Sequence, residues 1–388
     1  MKKLPLIFSI LLASTLLSSC VETRYLEKQG LITGVGYDVS EKEKKIKGTI
    51  VFYQFNPSMK NLSTVISSDA ETSKGIRMSA NMETDHNLVS GQLRVALYGE
   101  EIAKAGINSL VDSLSRDASI GNMIFLAVAS PTANEILSFQ PKSQPTNMGT
   151  YLYNLMQLNI QNEVIPNPTL QEFMTSYGSV GKDPILPYLS IVKGKVGITG
   201  FALFSDDKQV GVLEREKIFY VRSLLNSLKT GTTEVEIPRD KFEKEIEQAE
   251  PQRNHKDEEN TMEENFHITM DNIKNDYKIN LVDKSIPSFD IKLELESRIL
   301  EMTVPLNLSE AKVLRKLESE LENSMKEEGM KVIRELQETG SDPIGFGTHY
   351  RASSRGKEVT KKIWAEKYPE AEFNLNIELK IVRTGIID

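Results

Sequence analysis

The chain has 388 residues, with 47 Lys+Arg against 55 Asp+Glu and a single cysteine, Cys20. That length accommodates two or three domains with cores of their own. The net charge of −8 argues against a nucleic-acid binder and against attachment to anionic lipid by charge alone, and one thiol excludes internal disulfides and cysteine-based metal sites.

The chain opens on Lys2 and Lys3, followed by LPLIFSILLASTLL over residues 4–17. A basic head and a short apolar run have the plan of a secretory signal peptide, and the run is too short to span a bilayer comfortably. Leu17-Ser18-Ser19-Cys20 then has the order of a bacterial lipobox. Small side chains admit a peptidase beside the scissile bond, and the Cys20 thiol is the nucleophile that takes a diacylglyceryl group. Residues 1–19 therefore read as a signal peptide, Cys20 as the lipidation site and residues 20–30 as a lipidated tether. No second run approaches membrane-spanning length, so the chain is expected to be anchored to a membrane without crossing it again.

Residues 31–188 read as an N-terminal α/β domain. LITGVGYDVS and KGTIVFYQF are strands around a charged turn at Glu41–Lys45, and the stretch 57–90 reads as a loop with a helix inside it. QLRVALYG, the helix 100–118, IGNMIFLAVASP and TANEILSF alternate strand and helix over 92–139, which favours a parallel or mixed sheet. Thr132 and Glu135 have capping-box spacing. Helices follow at 146–163 and 169–178, and the domain is expected to end near Pro187.

Residues 189–238 read as a small middle α/β domain, with a hairpin turning at Asp206-Asp207, an amphipathic helix over 214–228 and a strand over 229–238. Residues 239–263 are almost wholly polar and read as a charged linker, although 239–249 also suits a solvated helix face. Residues 264–388 read as a C-terminal α/β domain. FHITMDNIKNDYKINLVD and FDIKLELESRILEMT are strands, Ser309 is placed to cap a helix running to Thr339, and Gly340 stops it. A second helix covers 359–369, and 371–385 is a terminal strand alternating at Phe373, Leu375, Ile377, Leu379 and Ile381.

No catalytic constellation emerges. His86, His255, His267 and His349 never fall three or four residues apart, so no helical metal pair exists, and no G-x-S-x-G flags a nucleophile. GVG at 34–36 and GFG at 345–347 lack the rest of a phosphate loop and read as structural glycines. Trp364 sits on an amphipathic helix and reads as core. The acids and amides around Asp271–Asp276 lack the glycine and glutamate of a calcium loop. The residues assign no catalytic, cofactor-binding or metal site.

Several stretches together resemble the Ger(x)C lipoprotein family, the C subunits of spore germinant receptors. TRYLEKQGLITGVGYD (23–38) resembles the family's opening, with Val21 and Glu22 where a tryptophan and an aspartate commonly follow the cysteine. Residues 93–137, including Arg116-Asp117, resemble its strand–helix–strand core, and GFALFSDDKQVGVL (200–213) resembles its second-domain hairpin. DPIGFGTHYR (342–351), Trp364, YPEAEF (368–373) and IVRTG (381–385) resemble its C-terminal signature. The resemblance implies an α+β protein of three serial mixed α/β domains, each a sheet with packed helices. It implies a non-enzymatic subunit of a nutrient germinant receptor, held through Cys20 on the outer face of the spore inner membrane beside membrane-embedded A and B subunits. A solute-binding or envelope-assembly lipoprotein is the alternative reading, and an envelope hydrolase a third.

Overall fold

The structure is a computed structural model and describes residues 26–54, 62–141, 147–249, 264–354 and 359–384. The signal peptide, Cys20, the tether as far as residue 25 and the stretch 250–263 of the charged linker lie outside the described residues.

Among the described residues nine strands form the first sheet: β1 (Gln29–Val39), β2 (Ile46–Gln54), β3 (Leu62–Ala70), β4 (Asn87–Val89), β5 (Val95–Gly99), β6 (Phe125–Ala129), β7 (Ile185–Val192), β8 (Lys195–Ser205) and β9 (Lys208–Glu214). Their order is β3-β2-β1-β5-β6-β7-β8-β9, with β4 beside the start of β1. The ends of the sheet are antiparallel meanders, and β1, β5, β6 and β7 run parallel in the middle.

Parallel strands covered on both faces are buried throughout, and β5 and β6 follow this rule at every position. Their alternate residues serve two cores. Val95, Leu97, Phe125 and Ala127 face one side with Ile136, Leu137, Met148 and Leu152. Ala96, Tyr98, Leu126 and Val128 face the other with Ile76, Ile102, Leu110 and Val111. The helices that supply these residues are α1 (Ser73–Met82), α2 (Glu100–Ala105), α3 (Asn108–Ser115), α4 (Ala133–Ser138) and α5 (Met148–Gln161), with α6 (Leu170–Gly178) following. Glycines 34 and 36 let α4 and α5 approach β1, because a Cβ on Gly36 would lie 2.7 Å from Ala133 Cβ. The expected cap is present: Thr132 Oγ1 accepts the Glu135 amide at 3.1 Å.

Three sequence expectations change here. The loop expected over 57–90 contains a strand, β3, whose serines and threonines suit an edge but hide the alternation. The single helix expected over 100–118 is two, because Gly106 turns at φ +120° and the β8–β9 turn inserts there. Asp207 accepts the Ile107 amide on its carbonyl at 3.0 Å and the Asn108 amide on its carboxylate at 3.1 Å. The third concerns the middle unit. The boundary expected at 188/189 falls inside β7, and residues 189–214 complete the first sheet by hydrogen-bonded pairing.

The remainder of that stretch belongs elsewhere. Helix α7 (Ile218–Leu225) is buried on nearly every side, and β10 (Gly231–Pro238) opens the second sheet. That sheet has the order β10-β11-β12-β13, with β11 (Asn265–Asp283), β12 (Ser288–Met302) and β13 (Glu372–Thr384). Between β10 and β11, α8 (Glu243–Ala249) is docked by Phe242 and Ile246, so 239–249 is packed structure. β10, β11 and β12 are antiparallel, whereas β13 returns parallel to β12 after a long crossover.

The crossover carries α9 (Ala311–Thr339), α10 (Phe346–Ser353) and α11 (Lys361–Lys367). Helical spacing places Val313, Leu314, Leu317, Leu321, Met325, Val332 and Leu336 on one stripe of α9; all are buried except Leu314, which is half-buried, and Gly340 ends the helix in the left-handed conformation at φ +71°. Ser309 does not cap this helix. Glu310 occupies the cap position, and Ser309 donates instead to Asn307 Oδ1 at 2.6 Å. Hydrophobic packing is continuous from β6 through α7 and α9 to β13. The protein is thus a mixed α/β structure of two sheets with helices packed on them.

Candidate functional site at the junction of the two sheets

Among the described residues, the most densely hydrogen-bonded buried group lies where the α9–α10 loop meets the first sheet. Asp342 is 1 % exposed. Its Oδ1 accepts the amides of Gly345 at 2.7 Å and Phe346 at 3.0 Å. Its Oδ2 accepts the Gly347 amide at 2.8 Å and the Trp364 indole N–H at 3.1 Å. Three successive amides pointing at one spot make an anion cradle. Here the chain's own carboxylate fills it, which excludes the phosphate-loop use of GFG.

The same residue reaches across the junction. The Asp342 amide donates to Asp183 Oδ2 at 2.9 Å, and the Asp183 amide returns to the Asp342 carbonyl at 2.9 Å. Asp183 Oδ1 in turn accepts the amide of Asp206 at the tip of the β8–β9 hairpin. Beside it, Ser341 donates to the Phe204 carbonyl at 2.6 Å and Thr348 N to the Gly181 carbonyl at 3.1 Å. Lys361 donates to the Tyr177 carbonyl and to Asp206 Oδ1, and stands over the Tyr177 ring. Glycines 181 and 347 touch backbone to backbone.

Aromatic side chains close the far side. Trp364 packs with Phe289, Tyr350 and Tyr368, and Phe346 with Phe289 and Phe373, at centroid distances between 4.6 and 6.3 Å. Burial pushes the Asp342 carboxyl up to about 7, while its three amides pull it back; Asp183 is also raised, first by burial. Both carboxylates are spent on amides inside the fold. The arrangement locks the second sheet and its helices onto the first.

Along most of the chain, two family models match in succession. The "Spore germination protein N-terminal domain" matches residues 22–191, and "Spore germination B3/ GerAC like, C-terminal" matches residues 199–385. The chain belongs to the Ger(x)C spore germination family. It is similar to the spore germination protein GerQC of Bacillus cereus, with 24% identity over 97% of this chain and 98% of that protein. It is also similar to spore germination protein KC of Bacillus subtilis, with 31% identity over 26% of this chain and 25% of that one. The crystal structure of the GerBC protein shares the fold, with a TM-score of 0.50 and 16% identity over 90% of this chain and 97% of that one.

The family signature now has a physical account. DPIGFG, Trp364 and Tyr368 all take part in the junction, Tyr368 by donating to the Ser341 carbonyl at 3.2 Å. Asp183 and Lys361 were not singled out in the sequence. An Asp three residues before a glycine at a helix start is the usable signal for Asp342, since the side chain reaches the i+3 amide. Nothing comparable marks Asp183, whose partners lie more than 20 residues away.

The other singled-out residues are dispersed. Arg116 pairs with Asp112 on α3, whereas its neighbour Asp117 faces Lys74 and Arg77 of α1. His86 contacts Asp85, His267 faces Glu234 and Glu236, and His349 is half-buried on α10 and held low by that burial. Asp271 is paired with Arg298, and Asn275 binds the Leu228 amide and the Ser223 carbonyl. Among the described residues no cluster of three His, Cys, Asp or Glu is placed to hold a metal ion. No described helix is long and apolar enough to cross a membrane. His255 and Cys20 lie outside the described residues.

Proposed function

We propose that this chain is the non-enzymatic lipoprotein subunit of a nutrient germinant receptor. The observation that carries the reading is the match to both halves of a spore germination family along nearly the whole chain. In this reading Cys20 is diacylglycerated and becomes the N-terminus after signal-peptide cleavage. The folded part then stands on the outer face of the spore inner membrane, beside membrane-embedded A and B subunits. The order of basic head, apolar run and LSSC supports the anchor.

The test is Cys20→Ala in spores. The expected outcome is loss of the protein from the inner-membrane fraction, loss of the germination response to the cognate nutrient, and loss of co-purification with the A and B subunits. Normal membrane attachment and normal germination in that variant would overturn the reading.

A further inference from the structure

The two edges of the second sheet are finished differently. On β13, the outward amides of Leu379 and Ile381 donate to Glu322 at 2.8 Å and Glu318 at 2.9 Å, both on α9. Glutamates one helical turn apart thereby close that edge. On β10 the same helix supplies one contact, from Ser324 Oγ to the Glu236 carbonyl at 2.8 Å.

The direction of the β10 peptide groups follows from its neighbour. His267 turns its amide to Thr303 Oγ1 and its carbonyl to the Thr303 amide. In an antiparallel ladder its opposite number, Glu236, must then turn its own groups away from β11, and Glu234 does the same two residues earlier. The Glu234 amide and carbonyl and the Glu236 amide have no protein partner among the described residues. They face a cleft of about 930 Å³. Residues 232–236 line it in unbroken succession, which identifies the strand's edge rather than one of its faces.

We infer that the β10 edge receives an extended segment of a partner polypeptide, carrying lysine or arginine at the positions opposite Glu234 and Glu236. An added strand pairs with the free peptide groups, the usual mode of strand addition. It also places side chains about 5 Å from Glu234 and Glu236 on their shared face. Those carboxylates already flank His267 at 3.6 and 3.9 Å, and a third acid opposite them is repelled. Basic side chains are the complement. This inference concerns the β10 edge alone and holds whichever complex the chain joins.

The test uses the full chain and two short synthetic peptides, one alternating lysine with valine and one alternating glutamate with valine. Glu234→Pro removes one outward amide and no ladder hydrogen bond, a change tolerated on a sheet edge. The lysine peptide is expected to bind and to slow hydrogen exchange at Glu234 and Glu236. Glu234→Pro is expected to weaken it at least tenfold. The exchange measurement on the unaltered chain decides the matter if the proline variant fails to fold. Absence of binding, equal affinity for the glutamate peptide, unprotected Glu234 and Glu236 amides, or unchanged affinity in a folded Glu234→Pro variant would each overturn the inference.

Discussion

Trp364 donates its indole N–H to Asp342 Oδ2 at 3.1 Å, and both residues are buried. The bond joins α11 to the loop that starts α10, and the same carboxylate holds three amides of that loop. Removing an acceptor from several buried donors is costlier than losing one hydrogen bond, because each orphaned donor keeps its desolvation penalty of about 1–3 kcal/mol. Asp342→Ala is therefore expected to destabilise the protein by at least about 3 kcal/mol. Trp364→Phe keeps the aromatic packing and loses one donor, so about 1 kcal/mol is expected. Urea unfolding of both variants checks the ranking, and an equal cost for the two would refute this account of the junction.

Backbone contact at the same junction leaves no room for a methyl group. A Cβ on Gly347 would sit 2.4 Å from Gly181 Cα and 2.6 Å from Trp364 Nε1. Neither neighbour is the loose end of a flexible side chain. Gly347→Ala is expected to cost about 1–3 kcal/mol or more by overpacking. Gly91→Ala, which meets nothing within 4 Å, is the control and is expected to stay within about 0.5 kcal/mol of the parent. A thermal scan of the two variants settles the comparison.

Local patterns in this chain were legible wherever one face of an element is apolar. β11, β12, β13 and the stripe of α9 follow from alternation or helical spacing, and the Thr132 cap and the Asp206 hairpin follow from local chemistry. What stayed hidden depends on partners distant in sequence. β3 is an edge strand with polar residues on both faces, so its pairing with β2 leaves no hydrophobic period. Ser309 has the right residue type for a cap, yet Asn307 captures its hydroxyl. The break at Gly106 depends on Asp207, which arrives from a hairpin about 100 residues later. The sheet running through residue 188 is visible only from the pairing of β6 with β7, because Pro187 lies inside that strand and reads locally as a boundary. Asp342 had a partial local signal, whereas Asp183 had none.

The closed edge of β13 gives a third prediction. Glu318→Ala with Glu322→Ala strips the acceptors from the Leu379 and Ile381 amides. The edge is near solvent, so water takes over part of the loss, and about 1 kcal/mol per site is expected. The more specific outcome is faster hydrogen exchange at residues 379 and 381 and greater self-association, as follows when a strand edge is uncovered. Glutamine at both positions keeps an acceptor of similar length and is expected to restore protection. Unchanged exchange in the alanine pair would count against capping by these side chains.

The Asp271–Arg298 pair sets a pH dependence. Arg298 Nε donates to Asp271 Oδ1 at 2.8 Å and Nη2 to the other oxygen, a two-pronged contact between β11 and β12. The guanidinium hydrogen bonds hold the Asp271 carboxyl below its ordinary range. A carboxyl depressed in the folded state binds its proton more tightly when the chain unfolds. Its contribution to stability is therefore present at pH values above the unfolded pKa of about 3.9 and is lost as pH falls through the lower folded value. Asp271→Asn removes that titration. The variant is expected to melt below the parent at pH 7, and the gap is expected to narrow as the medium is taken from pH 5 toward pH 3. High salt is expected to narrow it as well, since the pair is partly exposed to solvent. Melting curves of the two proteins across that range provide the check, and a gap that stays constant with pH would assign the loss to packing between β11 and β12 instead of to charge.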